Sequence, residues 1–181
     1  MRPERICTQS IYNGRVFDIT LDTIRENEHE YTREIVRHKG SAVIAPLFDD
    51  GTIALVRQYR HAAEEYLLEL PAGTLNEGED PLIGAHRELE EEIGVVADSV
   101  EKLCEFYVSP GFLTEKMFLF VASGLTETAQ NLDEDEFVEI ERYSLPELTE
   151  MIRTGKIEDA KTIVGVTLLA SGWPSATKNT R

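Results

Sequence analysis

The chain has 181 residues, enough for one domain with a buried core. Its formal net charge of −16 disfavours general binding to nucleic acid, because the field of the protein repels a polyanion. No apolar run approaches the length of a membrane-spanning helix, and the N-terminus has no signal-type apolar stretch, so we expect a soluble, cytoplasmic protein without a membrane partner.

Short strands joined by tight turns are predicted for the first half of the chain. The turn at 49–51, with the sequence Asp-Asp-Gly, is the clearest hairpin signal. The last strand of this half runs into the Pro-Ala-Gly segment at 71–73 and then into a polar loop. Apolar residues between the turn signals predict five strands: 15–22, 31–36, 41–48, 52–57 and 66–70.

One helix is marked more clearly than any other element. Asp80 suits its N-cap, Pro81 suits its first position, and Gly94 ends it. The remaining sequence predicts three strands and two helices: strands 103–108, 116–123 and 137–143, and helices 145–153 and 160–171. Strands around a central helix, with a helix near the C-terminus, indicate the α/β or α+β class.

This central helix has two different sides. Glu88, Glu91 and Glu92 share one side, because spacings of three and four residues return to the same face. Gly84 lies one turn earlier and has no side chain to crowd them. The apolar residues fall on the opposite side, which we expect to pack on a sheet: Leu82, Ala85, Leu89 and Ile93.

The three glutamates have two interpretations. A solvated charged face is the simpler one. However, like charges at these spacings repel each other, and Arg87 reaches Glu91 at i+4, which leaves Glu88 and Glu92 unpaired. Mg²⁺ takes oxygen ligands and retains waters, so two carboxylates and a carbonyl from 71–73 suit it. The pattern therefore indicates a candidate metal site.

The stretch from Gly73 to Val95 matches the pattern G-x5-E-x7-R-E-U-x-E-E-x-G-U, where U is aliphatic, at every defined position. A chance match at a given start has a probability on the order of 10⁻⁹ with average residue usage. The pattern is the Nudix box, so the chain is identified as a member of the Nudix hydrolase superfamily. The resemblance implies a Nudix fold of α/β (α+β) class, with a mixed β-sheet sandwiched by helices. It also implies attack of water on a phosphorus of an X-linked nucleoside diphosphate.

The same resemblance implies a metal site on the acidic helix. The expected metal is Mg²⁺, with Mn²⁺ or another divalent cation as the alternative, and with two or more ions per active site. Glu88 and Glu92 would be ligands, and Glu91 would assist them. The other motif positions have implied supporting roles: the Ala72 carbonyl as a further ligand, Arg87 to orient the acidic face, Glu79 as a structural residue, and Gly73 and Gly94 through their backbones.

Most of the chain outside the box resembles the ADP-ribose pyrophosphatase branch of this superfamily. Pro110 stands where that branch has a proline after the box, although a Ser-Pro-Gly turn also has an ordinary structural explanation. Segments 56–60 and 158–162 look similar as well. The resemblance implies hydrolysis of ADP-ribose to AMP and ribose 5-phosphate. Two alternatives stay open: a pyrophosphatase for another nucleotide sugar such as GDP-mannose, and a non-catalytic nucleotide-binding regulatory domain.

A general base is expected on a loop that can close over the substrate. The acidic loop 133–136 resembles the loop that carries catalytic glutamates in this branch. Glu136 is the first candidate for the base, and Glu134 is the second. Glu115 is a weaker candidate, with a substrate contact or a surface position as its alternatives. The loop itself has the alternative of a solvated acidic turn.

Substrate contacts are expected from charged residues outside the box. Arg57 and Arg60 lie on opposite faces of a predicted strand, so at most one of them easily faces a given phosphate, and Arg60 is preferred by its position. Arg37 is a candidate contact to the nucleotide or to a partner subunit. Glu69 is a candidate contact to ribose hydroxyls, and Pro110 completes the set.

Members of the branch are typically homodimers whose N-terminal strands reach the partner and help to build its substrate pocket. We therefore expect a homodimer and three parts: a β-rich arm at 1–40, exchanged between subunits or covering the chain's own sheet, a Nudix domain at 41–173, and a flexible tail at 174–181. The expected small-molecule partner is a nucleoside diphosphate sugar.

Overall fold

The computed structural model describes residues 2–132 and 136–172, which form ten strands and three α-helices. The predicted tail at 174–181 lies outside the described residues. The strands are β1 Glu4–Asn13, β2 Asp18–Glu26, β3 His29–Arg37, β4 Ser41–Pro46, β5 Thr52–Arg60, β6 Glu65–Glu69, β7 Ala72–Thr74, β8 Val95–Tyr107, β9 Lys116–Glu127 and β10 Val138–Ser144. The helices are α1 Pro81–Glu88, α2 Leu145–Arg153 and α3 Ala160–Ala170, and a π-helical turn Leu89–Ile93 follows α1.

The strands of the described residues form three sheets. A mixed sheet has the order β7-β4-β9-β8, in which only β4 and β9 are parallel. An antiparallel sheet has the order β10-β5-β6, and the N-terminal arm is the antiparallel sheet β1-β2-β3. These mixed sheets with three helices confirm the predicted fold class. No helix of the described residues is long and apolar enough to cross a membrane.

Strand β4 is buried along its whole length because both of its faces are covered. Its alternate residues belong to two separate apolar clusters. Ala42 and Ile44 pack in the cluster that contains Leu89, below the acidic helix. Val43 and Ala45 pack in the cluster that contains residues of α2 and α3. The sheet therefore lies between α1 on one face and the two C-terminal helices on the other.

The turn at 49–51 forms as predicted, but the strands around it do not form a hairpin. Gly51 has a φ of 80°, and the Phe48 amide donates to the Thr52 carbonyl at 2.9 Å. Leu47 and Ile53 form a single antiparallel bridge next to the turn. Away from this bridge, β4 pairs within the mixed sheet and β5 pairs within the antiparallel sheet. The hairpin prediction was wrong because local turn chemistry fixes the reversal, whereas distant strands decide the pairing.

The strand predictions missed β1 and β7 and placed the start of β8 too late. Strand β1 was not predicted, because all of its residues are exposed and its sequence lacks an alternating apolar pattern. Strand β8 begins at Val95, directly after the box, and not at Leu103.

The arm joins the rest of the chain where the Val36 amide donates to the Phe112 carbonyl at 2.8 Å. The Thr114 amide returns a hydrogen bond to the Val36 carbonyl at 3.0 Å.

The acidic helix begins as predicted and ends differently. The Asp80 side chain accepts a hydrogen bond from the Leu82 amide at 2.8 Å, and Gly94 ends the helical segment with a φ of 69°. The last turn is a π-helix, a form often found at functional sites. Leu82 was expected on the sheet but is 40% exposed. The close packing centres on Gly84, where an added Cβ would lie 2.7 Å from a Leu75 methyl carbon, so Leu82 turns outwards.

Candidate active site

Glu88, at the end of α1, lies directly against the backbone of the Pro-Ala-Gly segment. Its side chain is 8% exposed. A Cβ added to Gly73 would lie 1.9 Å from Glu88 Oε1, far inside van der Waals contact. Gly73 is therefore required because the carboxylate occupies the space of a side chain.

Glu92, in the π-helical turn, is buried on the same side of the helix. It is 2% exposed, and the Ala72 amide donates to its Oε2 at 3.1 Å. The segment 72–73 thus contacts both carboxylates: Ala72 through its amide and Gly73 through its missing side chain. This arrangement brings the predicted ligands Glu88, Glu92 and the Ala72 backbone into one place.

Arg87 binds three glutamates at once. Its Nε donates to Glu79 Oε1 at 3.1 Å, and one terminal nitrogen donates to Glu88 at 2.6 Å and to Glu91 at 2.8 Å. The sequence prediction that Glu88 has no cationic partner was therefore wrong, because a guanidinium is a fork that reaches an adjacent residue as well as the i+4 position. These bonds hold the acidic side chains in one orientation.

Two carboxyl groups on the acidic side of the helix have raised pKa values. Burial raises the pKa of Glu88 to about 7, although the charge of Arg87 opposes the shift. Burial and the charge of Glu88 raise the pKa of Glu92 to about 8. The charge of Glu136 raises the pKa of both. A bound cation would lower both pKa values, because it favours the charged forms of the two carboxyl groups.

The residues present fit a divalent cation. Within 2–132 and 136–172, no group of three His, Cys, Asp or Glu side chains is placed to hold a metal ion by itself. Mg²⁺ keeps several waters and needs only one or two carboxylates from the protein. The buried pair Glu88 and Glu92 fits that requirement, and the Ala72 carbonyl stays a predicted further ligand.

These pKa shifts predict that the stability of the metal-free protein falls as pH rises, whereas the stabilisation by bound Mg²⁺ grows as pH rises. The usual value is 4.5, so the folded protein retains protons that the unfolded chain releases. These retained protons stabilise the folded state. Their contribution is fully present below pH 4.5 and is lost as pH rises through the folded-state pKa values of about 7 and 8, at about 1.4 kcal/mol per pKa unit. Bound Mg²⁺ needs ionised ligands, so its stabilising effect should grow with pH.

The measurement is thermal unfolding in EDTA and in excess Mg²⁺, at about pH 6 and about pH 8. We expect the melting temperature in EDTA to fall between the two pH values, and the increase caused by Mg²⁺ to be larger at the higher pH. A Mg²⁺ effect that is larger at the lower pH would contradict the placement of these two carboxylates at the metal.

A cleft of about 370 Å³ lies over the acidic helix. Residues that follow β9 bind the end of the acidic helix. The Asn131 amide donates to the Glu91 carbonyl at 3.1 Å, and the Gln130 side chain donates to the Glu92 carbonyl at 2.6 Å. Glu136 also lines the cleft, whereas Glu134 lies outside the described residues. The cleft is lined by Arg15, Val16, Lys39, Gly73, Thr74, Leu75, Asn76, Arg87, Glu88, Glu91, Asn131 and Glu136.

A buried network of charges lies beside Glu92. Glu69 is 1% exposed and accepts two hydrogen bonds from Arg60 at 2.6 Å and a third from Lys161. Burial acts to raise the pKa of Glu69, but the bonds from Arg60 and Lys161 outweigh it and hold that pKa below its usual value. Lys161 also contacts Asp159 at 3.1 Å. The predicted substrate residues Arg60 and Glu69 thus bind each other in this structure.

Four other candidates lie outside the lining of the cleft. Arg37 donates to Asp22 in the arm, and Arg57 donates to Glu139 at 3.3 Å. Pro110 is in an exposed turn. Glu115 accepts a hydrogen bond from the Ser41 hydroxyl at 2.7 Å. Their roles towards substrate stay predictions.

Sequence reasoning missed several residues that the fold brings to the site. Lys161 had a usable signal, because it is the only charged residue in α3 and a lone lysine in an apolar helix needs a buried partner. Arg15 and Lys39 had no such signal. They reach the cleft only through the way in which the arm joins the rest of the chain.

Comparisons with known proteins agree with this geometry. A family model described as NUDIX domain matches residues 38–164. The methanol dehydrogenase activator of Bacillus methanolicus is 41% identical over 167 residues, which cover 91% of this chain and 90% of that protein. The ADP-ribose pyrophosphatase of Bacillus subtilis is 36% identical over 172 residues, which cover 93% of each chain.

A solved structure shares the fold. The crystal structure of an ADP compounds hydrolase matches with a TM-score of 0.82 and covers 94% of each chain at 22% sequence identity. The family model spans the acidic helix, the Pro-Ala-Gly segment and most of the sheets described above. The chain therefore belongs to the NUDIX family and is a Nudix hydrolase.

Proposed function

We propose that this protein is a Mg²⁺-dependent pyrophosphatase that hydrolyses ADP-ribose to AMP and ribose 5-phosphate. The observation that carries the proposal is the pair of buried carboxylates, Glu88 and Glu92, of which Glu88 lines an open cleft. Two adjacent carboxylates out of water are costly unless a cation joins them. The name of the Bacillus subtilis relative supports ADP-ribose as the substrate.

The residues of the site have complementary roles in this proposal. Glu88, Glu92 and the Ala72 carbonyl would hold the divalent cation, which, when bound, polarises phosphoryl oxygens and lowers the pKa of water. Arg87 keeps the carboxylates oriented through its bonds to Glu79, Glu88 and Glu91.

The proposed reaction is an attack by water on one phosphorus of the diphosphate. The oxygen of water bonds to phosphorus, the bridging P–O bond breaks, and Glu136 accepts the proton that water loses. Glu136 lines the cleft, and its charge acts on both buried carboxylates, which supports its assignment as the base. Glu134 is the second candidate for this role.

A substrate panel tests the proposal. The box recognises a diphosphate and not the flanking group, so another nucleotide sugar, such as GDP-mannose, is the alternative substrate. We expect kcat/KM for ADP-ribose to exceed that for GDP-mannose, UDP-glucose and ADP-glucose, as measured by release of nucleoside monophosphate with Mg²⁺. Preference for a different nucleotide sugar would support the proposed hydrolysis of a diphosphate and contradict the assignment of ADP-ribose as the substrate.

A second candidate function rests on the relative from Bacillus methanolicus, whose name describes activation of a methanol dehydrogenase. By analogy, this chain would bind a nucleotide and regulate a dehydrogenase, with or without hydrolysis. The test is the rate of a purified methanol dehydrogenase with and without this protein. Because the chain retains every carboxylate of the box, we expect hydrolysis in either case.

We also propose a homodimer that uses the arm at 1–40 as its contact surface, next to a catalytic domain at 41–173. The arm exposes large apolar side chains that a monomer would leave in water. An apolar hollow of about 510 Å³, lined in part by Ile11, Leu21 and Phe112, lies where the arm meets the rest of the chain. Light scattering tests the assembly, and a monomer at micromolar concentration would contradict it. The exposed apolar residues of the arm are Ile6, Ile11, Tyr12, Val16 and Phe17.

A further inference from the structure

The segment at 158–162, with the sequence Glu-Asp-Ala-Lys-Thr, lies outside the lining of the cleft although the structure describes all of it. Asp159 caps α3, since its carboxylate accepts a hydrogen bond from the Thr162 amide at 2.9 Å. Lys161 is 6% exposed and Thr162 is fully buried. Lysine and threonine are mostly exposed in folded proteins, so their burial in one helical turn indicates specific partners.

Thr162 binds the backbone of the residue that follows β6. Its hydroxyl accepts a hydrogen bond from the Leu70 amide at 2.7 Å. The same hydroxyl donates to the Asp159 carboxylate at 2.6 Å, so its orientation is fixed. Leu70 is fully buried, and a buried amide is costly without an acceptor. Thr162 therefore supplies an acceptor that the fold requires at Leu70.

Two further contacts join α3 to the end of β6. Lys161 binds the carboxylate of Glu69, the last residue of β6. Gly165, one turn further along α3, lies against the Leu70 side chain, where an added Cβ would be 2.5 Å from Leu70 Cδ1. The start of α3 therefore holds Glu69 and Leu70 through an ion pair, a hydrogen bond and close packing.

Leu70 and Pro71 lie where the chain passes from one sheet to the next. β6, in the antiparallel sheet, ends at the residue before Leu70, and β7, in the mixed sheet, begins at the residue after Pro71. Pro71 has no amide hydrogen, and its carbonyl accepts from the Ile44 amide at 2.9 Å. The Leu70 amide is bound by Thr162 and not by a strand. Side chains of α3 thus fix a stretch of backbone that strand pairing leaves open.

The residues directly after this crossing contact both buried carboxylates. The Ala72 amide donates to Glu92 Oε2 at 3.1 Å, and Gly73 lies against Glu88 with no room for a side chain. A single proline, whose ring fixes one backbone dihedral, separates Leu70 from Ala72. A shift of Leu70 is therefore carried into the contacts with Glu88 and Glu92.

We propose that Thr162 and Lys161 are positioning residues for the metal site. By holding Leu70 and Glu69, they keep the Pro-Ala-Gly segment, and with it the two buried carboxylates, in the geometry that binds a divalent cation. Groups that orient metal ligands from outside the coordination shell change metal affinity or activity by about ten- to a hundredfold. Both residues act through the backbone, so neither is a catalytic residue. The inference rests on the proposed function for its cation.

Replacement of Thr162 by valine tests the inference. Thr162→Val removes the hydroxyl, keeps the branched shape and leaves the Leu70 amide without its acceptor. We expect the dissociation constant for Mn²⁺ to rise by about tenfold or more. Thr162→Ser keeps a hydroxyl and should recover most of the affinity. Wild-type affinity in folded Thr162→Val would overturn the role of this residue.

The measurement is electron paramagnetic resonance of free Mn²⁺ during titration of the metal-free protein. It needs no substrate, and it reports the geometry of the ligands in the folded protein. If α3 only stabilised the fold, Thr162→Val would lower the melting temperature and keep the affinity for Mn²⁺. In parallel, the Mg²⁺ concentration for half-maximal release of AMP should rise by the same factor as the Mn²⁺ dissociation constant.

A second variant tests the other contact. Lys161→Met keeps an unbranched side chain, and Glu69 retains its two hydrogen bonds from Arg60. Loss of a positive charge near the site would by itself favour a bound cation, so weaker binding of Mn²⁺ in this variant has a positional cause. We expect the dissociation constant to rise. Wild-type or tighter binding would overturn the role of Lys161, and would overturn the whole inference if Thr162→Val also binds normally or does not fold.

Matched controls separate positioning from general destabilisation. Thr167→Val makes the same chemical change at an exposed position of α3. Leu148→Ala removes a fully buried side chain from α2 and should lower the melting temperature by creating a cavity. Both variants should bind Mn²⁺ like the wild type. Weaker binding in Leu148→Ala, equal to that of Thr162→Val, would attribute the effect to lost stability and overturn the inference.

Failure of the proposed function is distinguishable from failure of the inference. If the wild type binds Mn²⁺ but hydrolyses no compound of the panel, the proposed function fails, and the variants still test the positioning roles by their Mn²⁺ affinity. If the wild type hydrolyses ADP-ribose and the variants bind Mn²⁺ normally, only the inference fails. A wild type that binds no Mn²⁺ would overturn both.

Discussion

Replacing Glu92 by glutamine should remove Mg²⁺-dependent hydrolysis without destabilising the metal-free protein. We expect kcat/KM for ADP-ribose to fall by about a thousandfold or more, because a metal ligand that stabilises charge in the transition state is worth several kcal/mol. The carboxamide oxygen still accepts the hydrogen bond from the Ala72 amide, which the carboxylate accepts at 3.1 Å. The change therefore removes charge and keeps the shape.

The unchanged stability follows from the burial of Glu92. Its pKa of about 8 means that the metal-free side chain is mainly neutral at pH 7, as glutamine is. Thermal unfolding in EDTA should show equal or greater stability for the variant, whereas the stabilisation by Mg²⁺ should shrink. Glu90→Gln is the matched control, since Glu90 is exposed in the same π-helical turn. Retained activity in Glu92→Gln would exclude Glu92 as an essential ligand.

Replacing Glu69 by glutamine should destabilise the fold by about 3–5 kcal/mol, because it leaves the buried ammonium of Lys161 and the half-exposed guanidinium of Arg60 without their shared carboxylate. Arg60 and Lys161 both bind Glu69, and Lys161 is 6% exposed. A loss of this size lowers the melting temperature of a domain this large by about 10 °C. Differential scanning calorimetry at neutral pH measures it.

The control and the kinetics separate a structural role from a substrate role. Glu65→Gln changes an exposed carboxylate of the same strand and should leave the melting temperature within about 2 °C. If Glu69 served only to contact ribose, Glu69→Gln would raise KM at an unchanged melting temperature. That result would contradict the structural assignment of the network and favour the sequence prediction of a ribose contact.

The acidic helix was predictable because its determinants are local. Asp80 caps it, Gly94 adopts the left-handed conformation that ends it, and the spacing of the glutamates places them on one side. The requirement for Gly73 has a cause that sequence spacing does not contain: the Glu88 carboxylate occupies the position of its Cβ. The π-helical last turn and the bond from Arg87 to Glu88 were not predictable from ideal α-helical spacing.

The parts that sequence reasoning missed depend on contacts between distant residues. The turn at 49–51 was foreseen, yet the pairing of β4 with β9 is set by residues more than seventy positions away. Lys161 meets Glu69 across 92 positions. Arg15 reaches the cleft because the arm docks through Val36 and Phe112. No local pattern reports such contacts, since each is decided by the packing of sheets and helices.

The most direct test of the central claim is release of AMP from ADP-ribose by the purified protein as Mg²⁺ is removed and restored. The claim is that buried Glu88 and Glu92 hold the cation on which hydrolysis depends. We predict AMP release that ends when EDTA is added and returns when Mg²⁺ is restored in excess. Release that continues unchanged in EDTA, or no release at any Mg²⁺ concentration, would contradict it.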